Sequence, residues 1–85
     1  MNEIELLKEK ISLAFPSVKI ILEKGEYTDS NWFLDLVYKQ YHIVVEWIPE
    51  NKIFRVEDEG NRLPVKRTRN SEDAFQQVST LLDSL

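Results

Sequence analysis

Cysteine is absent from this chain of 85 residues. The chain therefore has no disulfide, no thiol nucleophile and no thiolate ligand for a metal ion. Because small secreted domains usually depend on disulfides for their stability, this absence favours a reducing, intracellular environment. The N-terminus, Met1-Asn2-Glu3, also lacks the basic and apolar regions of a signal peptide, and we expect a cytoplasmic protein.

Glycine and histidine are scarce, with two residues and one residue respectively. The glycine-rich loops that bind phosphates are missing, and a single histidine without cysteine cannot complete the ligand set of a zinc site. No apolar run approaches the roughly 18 residues of a membrane span. No nucleophile stands in a recognisable pattern with a base. We therefore expect a protein that is not an enzyme and that has no cofactor, no metal ion and no membrane contact.

Positive charge is also in the minority, because 11 Lys and Arg residues against 15 Asp and Glu residues give a net charge of −4. An acidic protein repels phosphate backbones, which disfavours nucleic acid as a partner. Apolar residues are abundant instead, at 42% of the chain, and two Trp, three Tyr and four Phe can build one dense core. Since the length is below that of a typical domain, we expect residues 1–85 to form a single compact domain.

Apolar residues recur at helical spacing near both ends of the chain. In the first segment Ile4, Leu7 and Ile11 form one stripe, and Pro16 is expected to end the helix. In the last segment Ser71 is predicted as the N-cap residue, because two acidic residues follow it and suit the positive end of the helix dipole. The apolar residues of this second helix are Ala74, Phe75, Val78, Leu81, Leu82 and Leu85.

Between the two helices the apolar period changes to two, which is typical of strands. Pairing Tyr38 with Tyr41 places Trp32 beside Trp47 and makes one sheet face wholly apolar, whereas a shift by one residue would lose this face. The turn, Lys39-Gln40, lacks the Gly or Asn that two-residue hairpin turns favour, so a longer loop of the same parity stays open. The predicted strands are residues 18–23, 32–38, 41–48 and 53–57.

Residues 57–70 form the least regular part of the sequence. A short edge segment at Leu63-Pro64-Val65 is an open alternative there, because Pro64 cannot donate a hydrogen bond within a central strand. The predicted fold is an α+β two-layer sandwich with an N-terminal helix, a three- to four-stranded antiparallel meander sheet and a C-terminal helix. Both helices are expected on one sheet face, where their apolar stripes meet the apolar side chains of the strands.

The opposite face of the predicted sheet alternates charged with apolar residues, and a face covered only by water is normally more polar. If the apolar residues are contiguous, they form a protein interface centred on Phe33, Ile48 and Ile53. If they are scattered, they reflect only the strand propensity of β-branched residues. We predict a small acidic interaction or regulatory module that binds another protein or forms a homodimer through this face. Its candidate interface residues are Ile21, Phe33, Val37, Val44, Ile48 and Ile53.

Four basic residues, Arg62, Lys66, Arg67 and Arg69, precede the second helix without an acidic residue among them. Helix N-termini attract anions, so these residues are candidates for contacts with an anion or an acidic partner. An alternative function is a nucleic-acid-associated protein that uses them as phosphate contacts. Glu72 already stands at that helix end and argues against an anion there. A solvated basic loop is the simplest interpretation of the segment.

His42 is the single histidine, and the predicted register places it on the charged face. Asp35 and Glu46 share that face only at offset positions, so we expect an exposed structural histidine and neither a general base nor a pH switch. The two carboxylates could act as an acid and base pair only in a cleft, and a sheet face is flat. A cross-strand ion pair between Glu46 and Arg55 is also predicted there.

Overall fold

The computed structural model describes residues 3–27, 30–58 and 66–85. It confirms the predicted α+β two-layer sandwich, with an antiparallel meander in the order β1-β2-β3-β4-β5 and both helices packed on one face of the sheet. The elements are α1 (Glu3–Ala14), β1 (Lys19–Glu23), β2 (Trp32–Tyr38), β3 (Tyr41–Ile48), β4 (Ile53–Asp58), β5 (Lys66–Thr68) and α2 (Ser71–Asp83).

The register of the central strands follows the apolar pattern. Tyr38 lies opposite Tyr41 and Trp32 lies opposite Trp47, as the sequence predicts. Trp47 in turn lies opposite Phe54 of β4, and the centroids of their rings are 4.6 Å apart. One face of the sheet, which we call the inner face, therefore carries a largely apolar surface toward the helices, with Asp58 and Thr68 as buried polar residues on β4 and β5.

The core lies between this inner face and the two helices. Ile4, Leu7 and Ile11 of α1 are fully buried, and Val78 of α2 is buried with them. Each fully buried side chain of this size contributes about 1.5–3 kcal/mol relative to an exposed one. The buried apolar cluster is Ile4, Leu7, Ile11, Val18, Leu34, Leu36, Ile43, Val45, Trp47, Phe54, Val56, Ala74, Val78, Leu81 and Leu82.

The turn between β2 and β3 consists of only two residues. Lys39 has a φ of 49° and Gln40 a φ of 72°, so both lie in the left-handed region, as a type I′ turn requires. The longer loop that the sequence left open is therefore not formed. Neither residue is glycine or asparagine, and side chains with a Cβ are strained in this conformation.

The N-cap of α2 is Asn70, and the prediction of Ser71 was wrong by one residue. Asn70 has extended backbone angles, and its Oδ1 accepts a hydrogen bond of 2.8 Å from the backbone N–H of Asp73. The hydroxyl of Thr68 donates to the carbonyl of Asn70 at 3.0 Å and holds this residue in place. Asn and Ser are about equally good caps, so residue type alone could not separate the two positions.

The sheet has one strand more than the three to four that the sequence predicted. In β5, Thr68 lies opposite Phe54, Arg67 opposite Arg55 and Lys66 opposite Val56. This strand was missed because Lys-Arg-Thr contains no apolar residue, and a three-residue segment is too short to show a period of two. The other candidate for the edge, residues 63–65, lies outside the described part of the chain.

An ion pair joins the two helices at their exposed sides. The Nζ of Lys10 in α1 donates to the Oε2 of Glu72 in the first turn of α2 at 2.9 Å. This hydrogen bond, followed by one from Gln76, lowers the pKa of Glu72 below its ordinary value of 4.5. The charged form of Glu72 is thus favoured by folding, and the pair links residues that are 62 positions apart.

The free energy of unfolding should depend on pH in the direction that the lowered pKa of Glu72 implies. Because the pKa of Glu72 is depressed in the folded state, its contribution is complete above 4.5 and disappears as the pH falls through the lower folded value. Glu72→Gln is therefore expected to lower the free energy of unfolding at neutral pH, and the difference from the wild type shrinks in acid. Urea unfolding at about pH 7 and about pH 3 measures this difference. Glu50→Gln in the β3–β4 turn is the control, and an equal pH dependence in both variants contradicts the assignment.

Candidate protein-binding face

The side of the sheet away from the helices, which we call the outer face, carries all six apolar residues that the sequence proposed as an interface. The register arranges them as a checkerboard with charged residues. Ile21 lies opposite Asp35, and Phe33 lies between Glu23 and Glu46 on the neighbouring strands. On the outer face of the described strands the only directly opposed apolar pair is Ile48 with Ile53, beside the β3–β4 turn. Phe33, Ile48 and Ile53 therefore lie toward one end of the face.

The six apolar side chains are exposed to different degrees. Ile21 is 45% exposed and Val37 is 39% exposed. The other four, which are Phe33, Val44, Ile48 and Ile53, are of intermediate burial. Diagonal neighbours on one side of an antiparallel pair lie about 7–8 Å apart, which long side chains can bridge. The apolar side chains are thus neighbours along the diagonals of the sheet, and charged residues occupy the positions between them.

Three charged residues near the centre of the outer face, Glu46, Arg55 and Glu57, are paired with one another. Arg55 places its Nη1 3.7 Å from the Oε1 of Glu46 and 3.3 Å from the Oε2 of Glu57, which confirms the predicted pair between Glu46 and Arg55. Asn31 donates from its Nδ2 to the Oε2 of Glu46 at 2.8 Å. The carboxylates of Glu46 and Glu57 therefore already have partners within this side of the protein.

His42 also has a partner on this face, because its Nε2 is 3.2 Å from the Oδ1 of Asp35. The prediction that their offset positions keep these two residues out of reach of one another was wrong. A diagonal of the ladder is short enough for an imidazole and a carboxylate. An oriented histidine needs a hydroxyl or thiol beside it for nucleophilic catalysis, and the described strands place no Ser, Thr or Cys on the outer face.

The basic segment is only partly described. Arg67 lies opposite Arg55 and therefore belongs to the outer face, and both Arg67 and Arg69 are exposed. Lys66 pairs through its backbone with Val56. Arg62, together with the side chain of Lys66, lies outside the described part of the chain. The sequence had not placed any of the four on the sheet, because nothing in their composition indicated a strand.

A groove between α1 and β1 is lined by Leu13, Leu22 and Lys24, together with acidic and basic side chains of the helix. No group of three or more metal-ligating side chains converges within residues 3–27, 30–58 and 66–85. None of the helices in this described part is long and apolar enough to cross a membrane. Comparisons with protein-family models, with curated proteins and with solved structures find no match to this chain.

Proposed function

We propose that the protein is a small, acidic, non-catalytic module that binds another protein through the outer face of its sheet. The observation that carries this proposal is the alternation of apolar residues with the paired charges of Glu46, Arg55 and Glu57. Burying an unpaired charge costs several kcal/mol, but an ion pair already formed within one face keeps its partner when a second protein covers it. Burial of the apolar residues of the outer face then provides the favourable free energy of binding.

The size of the face indicates the strength of the complex. Five strands spaced about 4.8 Å apart, with about five residues each at about 3.3 Å per residue, give a flat area of roughly 400 Å². A standard interface buries about 800 Å² on each partner. We therefore propose a transient complex, in which the partner presents a flat apolar surface and few charges of its own at the centre.

Charged substitutions at apolar positions of the outer face test this proposal. Phe33→Glu and Ile53→Lys are each expected to weaken partner binding by about thirtyfold, since a disrupted interface centre typically costs about 2 kcal/mol. Partners captured by the wild type are quantified against each variant, and light scattering over a concentration series measures self-association. Gln76→Lys, an exposed residue of α2 in the other layer, is the matched control.

The outcome separates the interface from a general effect of charge. A partner that is retained by Gln76→Lys and lost by both outer-face variants supports the proposal. If Phe33→Glu and Ile53→Lys bind every captured partner as well as the wild type does, the outer face is not the binding surface. Circular dichroism of each variant checks that the fold is intact.

A nucleic-acid-associated role for Arg62, Lys66, Arg67 and Arg69 is the alternative proposal, supported by the exposure of Arg67 and Arg69. It requires affinity for RNA or DNA that falls steeply with salt and that decreases when these residues are neutralised. Titration of the same samples with both nucleic acids at low ionic strength tests it. Absence of binding under those conditions rules it out.

A further inference from the structure

The two edges of the sheet differ in how well they are protected. β5 is only three residues long and contains Lys66 and Arg67, and short basic strands resist pairing with other chains. β1 is five residues long and contains neither proline nor glycine. Among the described residues no strand lies beyond β1, and its Ile21 is 45% exposed. β1 therefore offers an open ladder.

The turn geometry determines which backbone groups of β1 face that open edge. A β-turn of two central residues is closed by a hydrogen bond between its flanking residues, here Tyr38 and Tyr41. Hydrogen-bonded positions alternate along an antiparallel strand, so Phe33, Asp35 and Val37 are left to bond β1. Their partners in β1 are Glu23, Ile21 and Lys19. The N–H and C=O groups of the remaining two residues, Ile20 and Leu22, point out of the edge.

The sequence of β1, Lys-Ile-Ile-Leu-Glu, is complementary to itself when it is read antiparallel. A two-fold axis through Ile21 places Lys19 opposite Glu23 of the second copy and Ile20 opposite Leu22 of the second copy. Each pair consists of residues from the same sheet face, as an antiparallel ladder requires. The outward backbone groups of Ile20 and Leu22 meet one another in this register. It is also the register that uses all five residues.

We propose that β1 pairs with β1 of a second copy, antiparallel about a two-fold axis at Ile21, so that the five strands of each copy form one continuous sheet. Two ion pairs between Lys19 and Glu23 select the register, and the ladder bonds of Ile20 and Leu22 hold it. The pairing places two outer faces side by side. That doubled surface serves partner binding only if the proposed function holds, whereas the pairing itself does not depend on it.

Charge reversal with rescue tests the register. Lys19→Glu and Glu23→Lys each convert both attractive pairs into repulsive ones, and each is expected to weaken the dimer about tenfold. The double variant Lys19→Glu with Glu23→Lys restores opposite charges and is expected to dimerise within about threefold of the wild type. Both residues are exposed, so folding is little affected. Sedimentation velocity over a concentration series measures the dissociation constants.

Hydrogen exchange gives a second readout. The amides of Ile20 and Leu22 are expected to become protected as the protein concentration rises, while the amide of Ile21, already bonded to β2, stays unchanged. A wild type that is monomeric at millimolar concentration overturns the proposal, as do equal dissociation constants for the wild type and all three charge variants. Dimerisation that Ile53→Lys abolishes and Lys19→Glu leaves intact also overturns it and assigns self-association to the outer face. If the protein dimerises through β1 but binds no partner through its outer face, only the proposed function is contradicted.

Discussion

Replacing Phe54 by alanine is expected to lower the free energy of unfolding by about 3–5 kcal/mol. Phe54 is fully buried, its ring lies 4.6 Å from that of Trp47, and α2 packs against its strand. Removal of the ring leaves a cavity between the sheet and the helix that neither element can fill. A chain of this length is expected to have a stability of only about 4–13 kcal/mol, so this one change removes a large part of it. Urea unfolding followed by tryptophan fluorescence measures the loss.

Ile53→Ala is the matched control for Phe54→Ala, because Ile53 precedes Phe54 in β4 and lies on the outer face. Its side chain is of intermediate burial, so its truncation is expected to cost about 1 kcal/mol. Comparable losses for the two variants would show that the sheet does not bury the inner face preferentially. A loss of less than about 1 kcal/mol for Phe54→Ala would contradict its place in the core.

The double substitution Lys39→Asn with Gln40→Gly is expected to raise the free energy of unfolding by about 1–2 kcal/mol. Both residues have positive φ, where a side chain with a Cβ costs about 1–2 kcal/mol, and Asn-Gly is the sequence that type I′ turns prefer. Two smaller terms oppose the gain. Glycine at position 40 makes the unfolded chain more flexible, which lowers stability. Replacement of Lys39 also removes the cation–π contact of its Nζ, which lies 5.0 Å from the ring centroid of Tyr38.

Asn51→Gly provides the control for the turn variant. Asn51 lies in the β3–β4 turn but is not among the residues with positive φ, whereas Lys52 beside it has a φ of 52°. Glycine at position 51 therefore relieves no strain, and a loss of about 0.4–1 kcal/mol is expected. Thermal and urea unfolding of both variants decide the point. Equal changes in the two variants would mean that the positive φ angles do not carry the effect.

The strands and their register were predictable because a period of two with one wholly apolar face permits a single alignment of Tyr38 with Tyr41. The strand β5 was not predictable, since its pairing depends on an open edge at β4 and not on its own residues. The choice between Asn70 and Ser71 as the cap depended on the extended backbone of Asn70 and its bond from the N–H of Asp73, which a linear pattern does not reveal. Features that repeat along the chain, such as the strands and their register, were therefore predictable. Features that depend on the formed structure around them, such as β5 and the cap of α2, were not.

The candidate site shows the same division. Alternation placed Ile21, Phe33 and Val37 on one face, and the register confirms that they share it. The contact between His42 and Asp35 needed the diagonal geometry of a formed ladder. The predicted meander already placed the first strand at an edge, whereas the backbone groups that β1 leaves open follow only from the register of the formed sheet.

The meander order has a consequence for how the chain folds. Every strand pairs with its neighbour in sequence, so the sheet can assemble by closing short loops, beginning with the two-residue turn at Lys39-Gln40. The contact between α1 and α2 is different, since the pair of Lys10 and Glu72 spans 62 positions. Closing so long a segment is entropically expensive until the strands between the helices are in place. The contact between α1 and α2 is therefore expected to form late in folding.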